Sequence, residues 1–169
     1  MEASVLERSP AVDPALFRGA MASFPAGVTI ITTAVDGKPS GTTVSAFSSL
    51  SLDPPLVLVC LARTSRTLQD VARTGRFCVN ILAEGQEALA YAFARSGAND
   101  RFDQTDFAPG LEGDPVLAGC AATVECAVHD TFAGGDHDIL VGRPLRISVD
   151  PAAAPLVHAR GRLSAAPTQ

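Results

Sequence analysis

The dipeptide Asp36-Gly37 separates two stretches of extended character, and the contrast between them constrains the fold more than any other feature. Before it, Val28-Thr29-Ile30-Ile31-Thr32-Thr33-Ala34-Val35 is rich in β-branched side chains, which favour strands. An Asp-Gly pair after such a run predicts a tight hairpin, because the favoured turns need positive φ at their centre. The return arm then contains residues 41–55, with a hydroxyl at nearly every other position. Thr43, Ser45, Phe47 and Ser49 share one face of a continuous strand there, and Val44, Ala46, Ser48 and Leu50 the other. A half-buried strand has one apolar face and one polar face, whereas both faces here are mixed. Small hydroxyls let a ligand approach the backbone and offer uncharged donors and acceptors. An ordinary Ser/Thr-rich strand and loop is the competing reading. Pro54-Pro55 removes two N–H donors and marks a break before the next element.

The remaining elements follow from periodicity and caps. Residues 1–12 read as a disordered lead-in, and Asp13-Pro14 as the cap and first residue of a helix over 14–23, with Phe17, Ala20, Met21 and Phe24 at helical spacing. Residues 56–62 are apolar throughout, as expected of a strand covered on both faces. Thr64 or Ser65 caps a helix that turns Leu68, Val71 and Ala72 inward and stops at Gly75. A strand over 77–82 and a helix over 84–94, with Leu89, Ala92 and Phe93 inward, come next. Residues 95–119 read mostly as loop. Two long strands, 120–128 and 139–149, are joined by 130–138, and a short strand at 156–159 precedes a fraying tail at 164–169. Strands linked by hairpin-like turns predict a mainly β fold, an antiparallel barrel that is closed or nearly so, with peripheral helices and one domain over 13–163.

Composition excludes several classes. A net charge of −5 without a basic cluster argues against nucleic acid. The start of the chain lacks the basic and apolar regions of a secretion signal, and no apolar run reaches bilayer length, so the expected location is cytoplasmic and off the membrane. Cys60, Cys78, Cys120 and Cys126 form no Cys-x-x-Cys pair and lie in apolar runs, which predicts buried free thiols rather than a metal site. Glycine-rich dinucleotide and phosphate loops, a His-Glu-x-x-His pair and a Gly-x-Ser-x-Gly elbow are all absent from the sequence.

Two further segments carry candidate chemistry. Arg63-Thr64-Ser65-Arg66-Thr67 places hydroxyls and guanidinium groups at a helix start, where free N–H groups and the helix dipole suit a phosphate. Plain capping with solvated arginines is the alternative. Gly134-Gly135-Asp136-His137 sets an imidazole at a turn between strands, able to stack on a flat ring or to donate to one. A hairpin with an exposed histidine is the alternative there. His129 and His158 read as structural.

In that order along the chain, Phe24-Pro25-Ala26-Gly27-Val28, Gly41-x-Thr43-x-Ser45-Ala46-Phe47-x-Ser49-x-Ser51-Leu52-x-Pro54-Pro55, Thr64-Ser65, Phe77-x-Val79-Asn80-x-Leu82 and Gly135-Asp136-His137 resemble the short-chain flavin reductases. These are the reductase components of two-component flavin-dependent monooxygenases. The resemblance covers about 17–161 and implies a homodimeric split β-barrel that binds FMN or FAD and uses NADH or NADPH. It implies that Thr43, Val44, Ser45, Ala46, Phe47 and Ser49 lie along the isoalloxazine and ribityl chain. It places Ala62, Arg63, Ser65, Arg66 and Thr67 at the phosphate, and His137 beside the nicotinamide. Hydride transfer between two stacked rings needs positioning more than an acid or base, which agrees with the lack of a catalytic dyad. The implied activity is an NAD(P)H:flavin oxidoreductase that supplies reduced flavin to a separate monooxygenase. Two alternatives keep the barrel: a flavin-storage protein without turnover, and a pyridoxamine-phosphate-oxidase-like enzyme. Family members often end with a tyrosine where this chain has Leu163.

Overall fold

The computed structural model describes residues 12–95, 97 and 101–167; the lead-in expected at 1–12 lies outside these except for Val12. Helix α1 (Pro14–Ala22) starts where the Asp-Pro pair predicts, with the Asp13 carboxylate accepting from the amides of Ala15 and Leu16. None of its residues is buried, so among the described residues nothing covers the apolar face of this helix.

Strand β1 (Ala26–Gly27) is followed by β2 (Thr29–Val35), which turns at Asp36 and Gly37, both at positive φ, into β3 (Lys38–Val44). That is the hairpin the Asp-Gly pair predicts. The hydroxyl-rich stretch then departs from expectation. It is not one strand: β3 ends at Val44, Ser45 and Ala46 form a break, and β4 (Phe47–Leu52) pairs with β5 (Pro55–Ala62) instead. The mixed polarity of both faces follows from this split, since the two halves present their side chains to different surroundings.

Helix α2 (Arg66–Thr74) has Ser65 at its N-cap position, though without a side-chain cap bond, and ends at Gly75, whose φ of 69° supplies the left-handed stop. Strand β6 (Arg76–Ile81), helix α3 (Glu87–Ala94) and a short hairpin of β7 (Phe107–Pro109) and β8 (Pro115–Leu117) follow. The segment read as loop thus contains two short paired strands. The long strands β9 (Ala122–Gly134) and β10 (His137–Val149) extend further than expected, leaving only Gly135 and Asp136 as their turn. Strand β11 (Leu156–Ala159) is joined by β12 (Arg162–Ala165), so Ser164 and Ala165 pair with Val157 and Leu156 rather than fray.

Strands form a seven-stranded antiparallel sheet in the order β3-β2-β6-β9-β10-β5-β4, beside a small β1-β11-β12 sheet. The large sheet is not closed: β3 and β4, consecutive in the chain, are its two edges and no ladder joins them. Yet Ile31, Val44, Val59, Val79, Val124 and Leu140, drawn from six of its strands, meet in one buried cluster with Leu68 and Val71 of α2. A second cluster on the other side of β2 joins Ile30 to Phe93 of α3, Leu82, Leu117 and Leu156, with Leu163 of β12 packed against it. β2 is therefore covered on both faces. β5, expected to be covered on both, alternates between buried Val57, Val59 and Leu61 and half-buried neighbours. Phe77 and Phe93 are fully buried, each worth about 1.5–3 kcal/mol of apolar transfer. Gly142 sits where a Cβ would come within 2.5 Å of Phe77 Cζ, so the close crossing of β10 over this ring excludes any larger residue.

All four cysteines are free. Burial pushes the Cys126 thiol up to about 12 and the Cys120 thiol to about 11, and raises that of Cys78 as well, so these three stay protonated and inert at neutral pH. Among the described residues no helix is long and apolar enough to cross a membrane.

Candidate functional site

The break between β3 and β4 opens onto a cleft of about 250 Å³. Thr43 and Val44 come from the end of β3, Ser45 and Ala46 from the break, Cys60 and Ala62 from β5, Ser65 from the start of α2, and His137 from the start of β10. Because β10 runs antiparallel to β5 with His137 opposite Ala62, the imidazole stands directly beside the β5 end that leads into α2. Seven sequence-selected residues separated by up to 94 positions are thus brought to one concavity: Thr43, Val44, Ser45, Ala46, Ala62, Ser65 and His137.

The wall is nearly free of charge. Among the lining residues only Cys60 and His137 can titrate, and none is a carboxylic acid. The Thr43 hydroxyl is committed, donating to the Ala90 carbonyl at 2.7 Å and fastening β3 to α3. His137 Nδ1 lies 2.7 Å from Asp136 Oδ1 at the exposed turn. The hydrogen bond from His137, then its charge, holds the Asp136 carboxyl below the usual carboxylate range. This contact orients the ring and leaves Nε2 as the nitrogen free of it.

The start of α2 borders the same cleft, beside the β5 end that faces His137. Ser65 makes no side-chain cap bond, so the first-turn amides at Arg66 and Thr67 have no partner within the helix and none from the cap hydroxyl. The Arg66 guanidinium is largely exposed and only 3.6 Å from Asp70. Arg66 and Thr67 face a second cavity, of about 330 Å³, lined also by Lys38, Ser40 and Gly41 of β3.

Phe47, Ser49 and Arg63 do not line the cleft. Phe47 packs against the main core cluster, and Ser49 is exposed on β4. The Arg63 guanidinium pairs with Asp138 at 2.8 Å, and its backbone N–H donates to the Asp136 carbonyl at 3.0 Å. Both contacts tie the β9–β10 turn to the start of α2, so Arg63 helps set the position of His137. Sequence reasoning missed Cys60, Lys38, Ser40, Arg101, Phe102 and Asp103, which come from an apolar strand, a turn and a presumed loop; only the Gly-Asp-Pro-rich composition near Arg101 marked the last of these.

The residues present fit a flat, mostly uncharged ring system with a phosphate tail. Small hydroxyl and methyl groups at Ser45, Ala46 and Ala62 admit a ring close to the backbone, and an uncapped helix start with a nearby guanidinium suits an anion.

Comparison with known proteins identifies the family. The flavin reductase like domain matches residues 21–167. Over 152 residues the chain is 41% identical to HsaB of Rhodococcus jostii, the reductase subunit of a flavin-dependent monooxygenase, covering 90% of this chain and 77% of that one. The structure of the NADH:FAD oxidoreductase SgcE6 of Streptomyces globisporus superposes with a TM-score of 0.86 at 36% identity, covering 95% of this chain and 99% of that one. A longer relative from Rhizobium meliloti, named as a probable flavin reductase, is 43% identical over 132 residues, 78% of this chain, which spans 42% of its length. With a match that takes in every described strand, this chain belongs to the flavin reductase like domain family.

Proposed function

We propose that this protein is an NAD(P)H:flavin oxidoreductase that passes reduced flavin to a separate monooxygenase. The observation that carries the reading is the nearly uncharged cleft at the break after β3, bordered by both His137 and a helix start whose Ser65 makes no side-chain cap bond. When bound, FAD or FMN supplies the hydride acceptor, and NADH or NADPH the hydride. The chain's own residues bind and orient. Ser45 and Ala46 admit the ring; the Arg66 and Thr67 amides hold the phosphate, with the Arg66 guanidinium beside them; His137 presents its imidazole to the nicotinamide. Backbone amides near Ala46 would stabilise negative charge on the edge of the reduced ring. Arg63, spent on Asp138, serves the His137 turn rather than the phosphate. The partner role rests on relatives such as HsaB, a reductase subunit.

Steady-state oxidation of NADH and NADPH with each flavin tests this. Turnover that requires added flavin and saturates in it is expected, whereas flavin binding without nicotinamide oxidation would favour storage. His137→Ala is expected to raise the KM for the nicotinamide about tenfold while changing the flavin Kd by less than about twofold. Equal effects on both would remove His137 from the nicotinamide side.

The same reading makes the large sheet a split barrel coiled around the Ile31–Val59–Val124 cluster, and the protein a homodimer. Leu16, Phe17, Met21 and Phe24 around α1 are exposed, as are Ile147 and Val149 on β10, and apolar patches of this kind mark association surfaces. Sedimentation at micromolar concentration is expected to give twice the chain mass of 17.4 kDa. A monomer at that concentration would refute the dimer.

A further inference from the structure

We propose that Asp70 loosens the hold on the flavin phosphate by competing for the Arg66 guanidinium, so that reduced flavin leaves readily; the proposal rests on the flavin reductase reading above. Arg66 is the first residue of α2, and Asp70 follows four positions later, on the same side of the helix. Arg66 Nε lies 3.6 Å from Asp70 Oδ2, and Arg73 Nη1 lies 4.0 Å from Oδ1. Both distances exceed those of a hydrogen bond, so the carboxylate is shared between two guanidinium groups and held firmly by neither. Asp70 is only 8% exposed, and among the described residues it accepts no hydrogen bond.

The place of this charge in the helix matters. No acidic residue occupies the first turn of α2, where Asp or Glu commonly offsets the positive end of the dipole. The first-turn amides stay open to an anion, and the carboxylate enters one turn further in, behind Arg66 and Thr67. Thr67 is buried and lines the second cavity together with Arg66 and Ser40. Ser40 is 7% exposed, and its hydroxyl has no hydrogen-bond partner among the described residues. Buried hydroxyls are normally satisfied, so this wall holds a polar group left over for a ligand.

A phosphate at the α2 start draws the exposed Arg66 guanidinium into charge-assisted hydrogen bonds. That takes the nearer counter-charge from a buried carboxylate and leaves it Arg73 alone, a cost that every binding event carries. The Asp70 charge also repels the phosphate directly. Two other guanidinium groups nearby are engaged elsewhere: Arg63 pairs with Asp138, and Arg101 donates to the Gly41 carbonyl at 2.8 Å. Arg66 is thus the guanidinium whose availability tunes phosphate affinity, and Asp70 sets that availability. A reductase that hands its product to another protein is served by such a grip, whereas one that keeps its flavin is not.

Fluorescence titration with FMN and with riboflavin, which has the ring but no phosphate, tests this without turnover. Asp70→Asn keeps the side-chain shape and is expected to tighten FMN about fivefold while changing riboflavin by less than about 1.5-fold. In an Arg66→Ala background the same substitution is expected to change FMN by less than about twofold. Arg73→Gln, at an exposed position, leaves Asp70 to Arg66 alone and is expected to weaken FMN about threefold. This second variant reads the competition even if Asp70→Asn does not fold. Unchanged or weaker FMN binding by folded Asp70→Asn overturns the proposal, as do an equal gain for riboflavin and a gain undiminished without Arg66. Unchanged or tighter FMN binding by Arg73→Gln overturns it too. Failure of the wild-type protein to bind either flavin overturns the reductase reading itself, a result distinct from all of these.

Discussion

Replacing Ala46 with tryptophan is expected to lower flavin-dependent NADH oxidation about 100-fold, the scale of loss seen when reacting groups are displaced by about 1 Å. Ala46 is exposed in the break between the two sheet edges, and its methyl forms part of the cleft floor. Its carbonyl accepts from the Cys60 amide at 3.0 Å, a backbone contact that a change of side chain leaves intact. An indole there fills much of a cleft of about 250 Å³ and removes the space a flavin ring needs beside the backbone. The side chain takes part in neither core cluster, so the unfolding free energy should move by less than about 0.5 kcal/mol. Kinetics and urea unfolding of the same preparation separate the two effects. Turnover within a factor of about two of wild type, in a folded variant, would place the flavin elsewhere.

Legibility of this fold in its sequence followed the range of the interactions involved. The Asp13 cap, the Asp36-Gly37 turn and the Gly75 stop rest on contacts within a few residues, and each stands where its residues predict. The split of the hydroxyl-rich stretch was not legible, because whether Phe47 pairs with β2 or with β5 depends on Val59, twelve positions further on. The Asp130–Asp138 segment read as a loop because its polar residues suggest one. They are tolerated in β9 and β10 because 129–134 are exposed on both faces and the facing start of β10 is only half-buried. Of the site, the hydroxyl stretch, the helix start and His137 could be selected since each has a local chemical signature. Lys38, Ser40, Phe102 and Asp103 carry none, and only the fold brings them together.

Asn80 shows the same limit from the side of stability. It stands within a family-like run, yet nothing local tells that it is fully buried and cross-links three strands. Its Nδ2 donates to the Ile30 carbonyl and to Thr32 Oγ1, both at 3.0 Å, and its Oδ1 accepts from the Leu117 amide at 2.8 Å. Next to it, Asp114 is buried too, accepting from the Ala34 amide and Thr33 hydroxyl at 3.1 Å and pairing with Arg76. These bonds pin β8, and with it the segment that carries Phe102, onto β2 and β6. Asn80→Leu keeps a similar shape but leaves the Leu117 N–H without its acceptor and the Ile30 carbonyl without the donor that Nδ2 supplies. At about 1–3 kcal/mol for each of the two buried groups so stranded, the loss should total about 2–6 kcal/mol, a large part of a typical 5–15 kcal/mol. Urea unfolding reads the loss directly, and hydrogen exchange should show the Leu117 amide losing protection before the β2 amides do. A loss below about 1 kcal/mol would mean that the segment is held by Asp114 and the Phe93–Phe102 contact instead.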